Sequence, residues 1–155
     1  MINEGQKPPP FSLFDTYGKI RSLDEFAGQN VVIFFYPKDS TPGCTKEACG
    51  FRDLFSEFHK TNTVIIGISA DSEQSHQKFI SMNNLPFILL SDPDRKVMTS
   101  YGAYGKKMMY GKLIDGVIRS TVLIGKNGEV IKHWKRVPNV VNHPKKVLET
   151  IDSAC

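Results

Sequence analysis

The chain has 155 residues and a mass of 17.4 kDa, with 40% hydrophobic and 23% charged residues, the proportions of a soluble globular domain large enough to bury a core. Its net charge of +4 is too mild for a nucleic-acid surface, and the densest basic run, residues 132–136, is interrupted by His133 and Trp134. The longest apolar run, residues 31–36, falls far short of the ~20 residues that cross a bilayer. Residues 1–10 are polar and then proline-rich, without the apolar core of a signal peptide, and the four histidines show no metal-ligand spacing. Three cysteines do not make a disulfide scaffold; the odd number fits a reducing compartment, so the chain reads as cytoplasmic.

In chain order, residues 11–23 carry two short apolar patches around Tyr17-Gly18-Lys19, an opening hairpin. Residues 31–36 are a central strand buried on both faces, and 44–59 a helix. Residues 63–69 are a second buried strand, after which Asp71-Ser72-Glu73-Gln74 opens a helix with a capping-box pattern. A short strand at 86–90 precedes a helix at 93–101, and residues 102–115, rich in Gly, Lys and Met, read as a long loop. Strands at 121–124 and 129–134 flank Asn127-Gly128, a strong hairpin signal, and a last helix covers 143–152. Without repeats or a long linker, residues 1–155 form one domain. Strands alternating with helices, plus a late hairpin, predict an α/β sandwich with a mixed central sheet and helices on both faces.

Cys44 follows the buried strand directly, in Ser40-Thr41-Pro42-Gly43-Cys44-Thr45. That turn lies at the carboxyl edge of the sheet, where open α/β folds place reactive groups. A thiol in the first turn of a helix meets unpaired backbone N–H groups and the positive end of the helix dipole, and both favour thiolate. On a helical wheel Ala48, Phe51 and Phe55 fall within about 40° of Cys44, so Cys44 faces inward, whereas Cys49 lies about 140° away beside Asp53 and Ser56. Residues five apart in an intact helix have Cα atoms about 8–9 Å apart. A disulfide wants roughly 4.4–6.8 Å, so these two cysteines could join only if the first turns unwind, which Gly43 and Gly50 would ease.

Arg119, opening the strand at 121–124, is the best candidate for a cation beside the sulfur; a surface arginine at a strand end is the alternative. Thr41 is either the helix N-cap before Pro42 or a hydroxyl that contacts substrate, and Pro37 and Pro42 rigidify the turn. Glu47, in the first turn, suits the helix dipole but opposes a thiolate. A thiolate flanked by donors suits attack on a peroxide oxygen or a disulfide sulfur, and a sulfenic acid so formed condenses with a nearby thiol. Acyl transfer would want a histidine base; His59 is at the wrong end of the helix, and spacing does not place His133.

The run Phe35-Tyr36-Pro37-Lys38-Asp39-Ser40-Thr41-Pro42-Gly43-Cys44-Thr45-Lys46-Glu47-Ala48-Cys49-Gly50-Phe51-Arg52-Asp53 closely resembles the signature of the peroxiredoxin family. Its Cys-x4-Cys spacing is similar to that of the bacterioferritin comigratory protein and peroxiredoxin Q branch. Gly67-Ile68-Ser69-Ala70-Asp71-Ser72, Leu85-Pro86-Phe87-Ile88-Leu89-Leu90-Ser91-Asp92, Tyr110-Gly111 and Arg119-Ser120-Thr121 resemble the same branch. The resemblance implies a thioredoxin-like fold and a thiol-dependent peroxidase acting on hydrogen peroxide and organic hydroperoxides. It also implies a monomer recycled by thioredoxin, without haem, flavin or metal. Cys44 matches the peroxidatic cysteine, Cys49 the resolving one, and Thr41, Pro37 and Arg119 the other active-site positions. Cys155, the last residue, reads as a spare thiol rather than a resolving cysteine for a neighbouring chain. Two rivals share the fold: a thiol–disulfide oxidoreductase, disfavoured because such enzymes use Cys-x-x-Cys, and a chaperone-like binding protein.

Overall fold

The computed structural model describes residues 2–154. Its frame is a seven-stranded sheet in which β3 (Asn30–Phe35), β4 (Thr63–Ser69) and β5 (Ile88–Ser91) run parallel in the order β5-β4-β3. Antiparallel strands complete both sides: β1 (Ser12–Phe14) and β2 (Ile20–Ser22) beyond β5, and β8 (Ser120–Ile124) and β9 (Val130–Trp134) beyond β3. All six residues of β3 are buried, as a continuous apolar run requires of a strand covered on both faces.

Because side chains alternate along a strand, β3 feeds two cores. Val31, Ile33 and Phe35 join Met98 and Tyr101 on one face, where α4 (Lys96–Ser100) packs with the N-terminal segment. Val32 and Phe34 face the other side, packed against α1 (Pro42–Asp53), α2 (Phe55–Lys60), α3 (Glu73–Asn83) and α5 (His143–Ala154). There Phe34 stacks on Phe51 of α1, with ring centroids 4.9 Å apart, and meets Phe87 edge-on. Burying such a ring is worth roughly 1.5–3 kcal/mol, so Phe51 ties α1 to the sheet. The mixed α/β sheet with helices on both faces is as the sequence predicts, and so is the N-terminal hairpin, with Gly18 in the left-handed region and Asp15 Oδ1 accepting from the N–H groups of Tyr17 and Lys19.

Three expectations need correcting. The segment 102–115 is not a loop: β6 (Tyr104–Met109) and β7 (Lys112–Val117) pair as a hairpin closed by Tyr110-Gly111, both at positive φ. Met108, Leu113 and Tyr110 point into solvent there, so the strands lack the apolar alternation of a half-buried pair. The helix 44–59 is kinked at Leu54, which separates α1 from α2, although Leu54 N–H still reaches the Gly50 carbonyl at 3.3 Å. The helix expected from residue 93 begins only at Lys96, after Arg95 turns through φ +59° and Asp92 Oδ2 takes the N–H of Met98. No helix among the described residues is long and apolar enough to cross a membrane. Cys155 lies outside the described residues.

The tightest point of the frame is Gly67 on β4. A Cβ there would lie 2.6 Å from Leu89 Cδ2 and 2.8 Å from Phe34 Cζ. Gly67→Ala should therefore cost about 1–3 kcal/mol by overpacking. A chemical-denaturation midpoint unchanged in this variant would mean that the sheet has slack the structure denies.

Candidate active site

The site is assembled where β3 ends. Tyr36 extends the β3 ladder by giving its N–H to Ile68 O, and the loop from Pro37 to Thr41 then delivers the chain to α1. Pro37 is half-buried in this loop and, lacking an N–H, cannot prolong the ladder. Thr41 occupies the N-cap position with Pro42 at the first helical residue, but its hydroxyl makes no cap. Instead Thr41 Oγ1 donates to the Lys38 carbonyl at 2.8 Å. The N–H groups of the first turn therefore stay uncapped by it. Of the two roles open to Thr41 in the sequence, side-chain capping is excluded.

Cys44 sits at the third position of α1 and is buried, on the inward stripe with Ala48 and Phe51. Across the sheet edge, the pairing of Phe35 with Ser120 carries Arg119 to the level of the β3 terminus. Its Nη2 donates to Cys44 Sγ at 3.2 Å, and its Nη1 to Glu47 Oε1 at 2.8 Å. Arg119 is thus no surface arginine. Gly43 makes room for it: a Cβ on Gly43 would already stand 3.3 Å from Nη2.

Glu47 is the residue the sequence places least well. Its side chain is completely buried, and Oε2 has no hydrogen-bond partner among the described residues. Burial pushes its carboxyl up to about 7, against the pull of the Arg119 charge beside it. Burial also works against the Arg119 charge, but Glu47 and Cys44 together outweigh it, and the guanidinium is held even more firmly protonated than usual. The asymmetry follows first from burial, complete for Glu47 and partial for Arg119, and then from partners, two for Arg119 and one for Glu47 among the described residues.

Cys49 is on the other side of the helix, half-buried, with Sγ 3.7 Å from Asn83 Oδ1 at the end of α3. Cys44 and Cys49 are both free thiols. His59 is exposed on α2, and His133 lies on β9 opposite Val122 with neither ring nitrogen partnered among the described residues. Sequence reasoning missed His143, whose Nε2 lies 2.7 Å from Thr121 Oγ1 and whose ring meets Phe51 and Trp134 edge-on. Burial, with Lys146 and Arg119 nearby, drives His143 down to about 4, so it stays a neutral packing partner. It also missed the cluster of Tyr36, Asp39 and His76 beneath the loop, where Asp39 Oδ2 lies 2.7 Å from His76 Nδ1.

The Glu47 carboxyl has a consequence for stability. Its ordinary value is 4.5 and its folded value about 7, so between them the folded protein keeps a proton that the unfolded chain has lost. That contribution is complete below 4.5 and is lost as pH rises through 7, on the order of 3 kcal/mol. Glu47→Gln cannot ionise, so its unfolding free energy should decline less between about pH 5 and about pH 8 than that of the unmodified protein. Equal slopes in denaturant titrations would show that Glu47 is not the group responsible.

The chain resembles known proteins over most of its length. Residues 5–133 match the AhpC/TSA family. Peroxiredoxin Bcp of Bacillus subtilis is 43% identical over 150 residues, covering 97% of this chain and 95% of its own length. The chloroplastic peroxiredoxin Q of Sedum lineare is 44% identical over 152 residues, 98% of this chain and 79% of that one. The solved bacterioferritin comigratory protein of Xanthomonas campestris superposes with a TM-score of 0.90 at 35% identity, covering 98% of this chain and 99% of that one. The chain therefore belongs to the AhpC/TSA family and, within it, to the peroxiredoxins of the Bcp and Q type, with their thioredoxin-like fold.

Proposed function

We propose that this protein is a thiol-dependent peroxidase that reduces hydrogen peroxide and organic hydroperoxides through Cys44. The observation that carries the reading is the single guanidinium of Arg119 donating at once to Cys44 Sγ and to buried Glu47. A thiolate beside that cation is charge-compensated, and Glu47 fixes the fork so that it cannot swing away. The peroxiredoxin relatives support the peroxidase, and the Xanthomonas campestris relative is described by its alkyl peroxide reduction activity, which supports organic substrates.

In the reaction, Cys44 thiolate attacks one peroxide oxygen, the O–O bond breaks, and the second oxygen leaves as alkoxide or hydroxide that takes up a proton. The sulfur is oxidised by two electrons to sulfenic acid and the peroxide is reduced to alcohol or water. Thr41 Oγ1, its proton committed to Lys38, can accept from the peroxide O–H, while Arg119 and the first-turn N–H groups stabilise the charge growing on the leaving oxygen. Pro37 keeps the loop short and stiff. Cys49 then acts as the resolving thiol: its sulfur attacks the sulfenic sulfur, water leaves, and a Cys44–Cys49 disulfide forms within one chain. An intact α1 holds residues five apart too far from one another for that bond, so its first turns must unwind. A dithiol such as thioredoxin takes the disulfide back to two thiols. All these steps fit in a monomer of one domain in the reducing cytoplasm, and none draws on a metal or an organic cofactor.

The test is a disulfide map by peptide mass spectrometry, seconds after one equivalent of hydrogen peroxide meets the reduced protein. The expected product is an intrachain Cys44–Cys49 linkage. Cys49→Ser should consume one equivalent of peroxide and then stop in the presence of thioredoxin, and Cys44→Ser should consume none. A Cys44–Cys155 linkage would move resolution to the tail; unreacted thiols would contradict the peroxidase.

A further inference from the structure

The cycle proposed above asks α1 to unwind at each turnover without scattering the loop that carries Thr41, and helix α3 touches both ends of the segment concerned. Near its start, Ser75 Oγ donates to Asp39 Oδ2 at 2.8 Å and His76 Nδ1 lies 2.7 Å from the same oxygen. Tyr36 O–H donates to the other carboxylate oxygen at 2.6 Å, while the Asp39 N–H donates to Asp71 Oδ2 at 2.8 Å. His76 Nε2 faces the Leu90 carbonyl at 3.1 Å, which can only accept. Both ring nitrogens therefore face acceptor oxygens, one of Asp39 and one of Leu90, so the ring is held at both edges. This is a buried polar network with every Asp39 contact directional, the kind whose disruption is costly because it leaves buried donors and acceptors unpaired. The carboxylates and the ring lie close enough to share a cation, but the Asp39 oxygens are already taken up by these donors.

The far end of α3 is held differently. Asn83 accepts from Arg52 through its backbone carbonyl at 2.8 Å, and its side-chain Oδ1 takes the thiol of Cys49 at 3.7 Å. A thiol is a weak donor, and this bond exists only while α1 is helical. Between the firm points at Asp39 and Arg52, Gly43 and Gly50 loosen the helix.

We propose that α3 brackets the unwinding segment: the Asp39–His76 clamp and the Arg52–Asn83 contact fix its ends, and the Asn83 side chain is the latch that holds Cys49 until Cys44 is oxidised. The inference rests on Cys49 being the resolving thiol. Contacts present only in the folded helix slow its opening, so the latch sets how long the sulfenic acid waits and how far a second peroxide can carry it to sulfinic acid. Asn83 acts on the chemistry through Cys49 and is a positioning residue.

Two measurements test it. In stopped-flow mixing of the reduced protein with hydrogen peroxide, Asn83→Ala keeps the Arg52 contact and should leave sulfenic acid formation unchanged. It should speed disulfide formation roughly twofold to fivefold, the effect of one weak hydrogen bond, and lower the sulfinic fraction at high peroxide. Asn83→Asp keeps an acceptor for the thiol and should resolve no faster than the unmodified protein. In hydrogen exchange of the unmodified disulfide form, amides from Thr45 to Cys49 should lose protection while the Asp39 amide keeps it. Equal disulfide rates in Asn83→Ala and the unmodified protein, or loss of protection at Asp39, would overturn the bracket while leaving the peroxidase standing. Absence of the intrachain disulfide in the unmodified protein would overturn both.

Discussion

Arg119 stands between two groups that can both be anions, Cys44 Sγ at 3.2 Å and Glu47 Oε1 at 2.8 Å, in a place where little water reaches them. Alone, either contact would be poorly defined. A guanidinium on a sulfur has little directional preference, and a buried carboxylate with one oxygen unpaired is a costly thing to keep. Together they fix each other: Glu47 orients the planar fork, and the fork leaves one N–H donor on the sulfur. The rest of the fold works to place these three side chains. Glu47 and Cys44 are one helical turn apart on α1, and Arg119 is delivered by the antiparallel register of β8 on β3. The absence of a Cβ at Gly43 lets the cation in.

That arrangement also explains why the second cysteine is kept apart. A thiol held permanently within bonding distance of Cys44 would compete with substrate for the sulfur and crowd the approach to it. Cys49 instead faces Asn83 across the helix, and the helix is the spacer between them. The segment that unwinds in the proposed cycle carries Gly43 and Gly50, and the latter packs so closely on Pro144 of α5 that a Cβ there would sit 2.8 Å from Cγ. Flexibility and tight docking are thus combined in one short helix, packed on α5 and on the Phe34 ring.

Much of this was legible in the sequence, and the reasons can be named. The unbroken apolar run of β3 marks a strand buried on both faces, and a helix beginning straight after it puts Cys44 at the sheet edge. The wheel places Cys44 inward because Ala48 and Phe51 share its stripe, as their burial bears out. Glu47 lies only about 60° from Cys44 on the same wheel, so its inward position was in the spacing too. Its charge hid it, because a carboxylate is read as solvated unless its partner, here Arg119 seventy-two residues away, is known. Asp39 and His76 escape for the same reason, being thirty-seven residues apart on different elements. The β6–β7 hairpin was illegible for the opposite cause: apolar side chains such as Met108 and Leu113 face solvent, so no core imposes a period on it.

In the proposed reaction Arg119 serves the attack on peroxide and not merely the reactivity of the thiol. The direct measurement compares two second-order rate constants for Cys44 in the reduced protein and in Arg119→Met: one for hydrogen peroxide and one for iodoacetamide, an electrophile with no oxygen leaving group. Loss of a donor to the leaving oxygen should cut the peroxide rate by about 10²–10³, and the alkylation rate far less. Equal losses in both would reduce Arg119 to a counter-ion for the sulfur, and an unchanged peroxide rate would mean that Arg119 takes no part in the reaction.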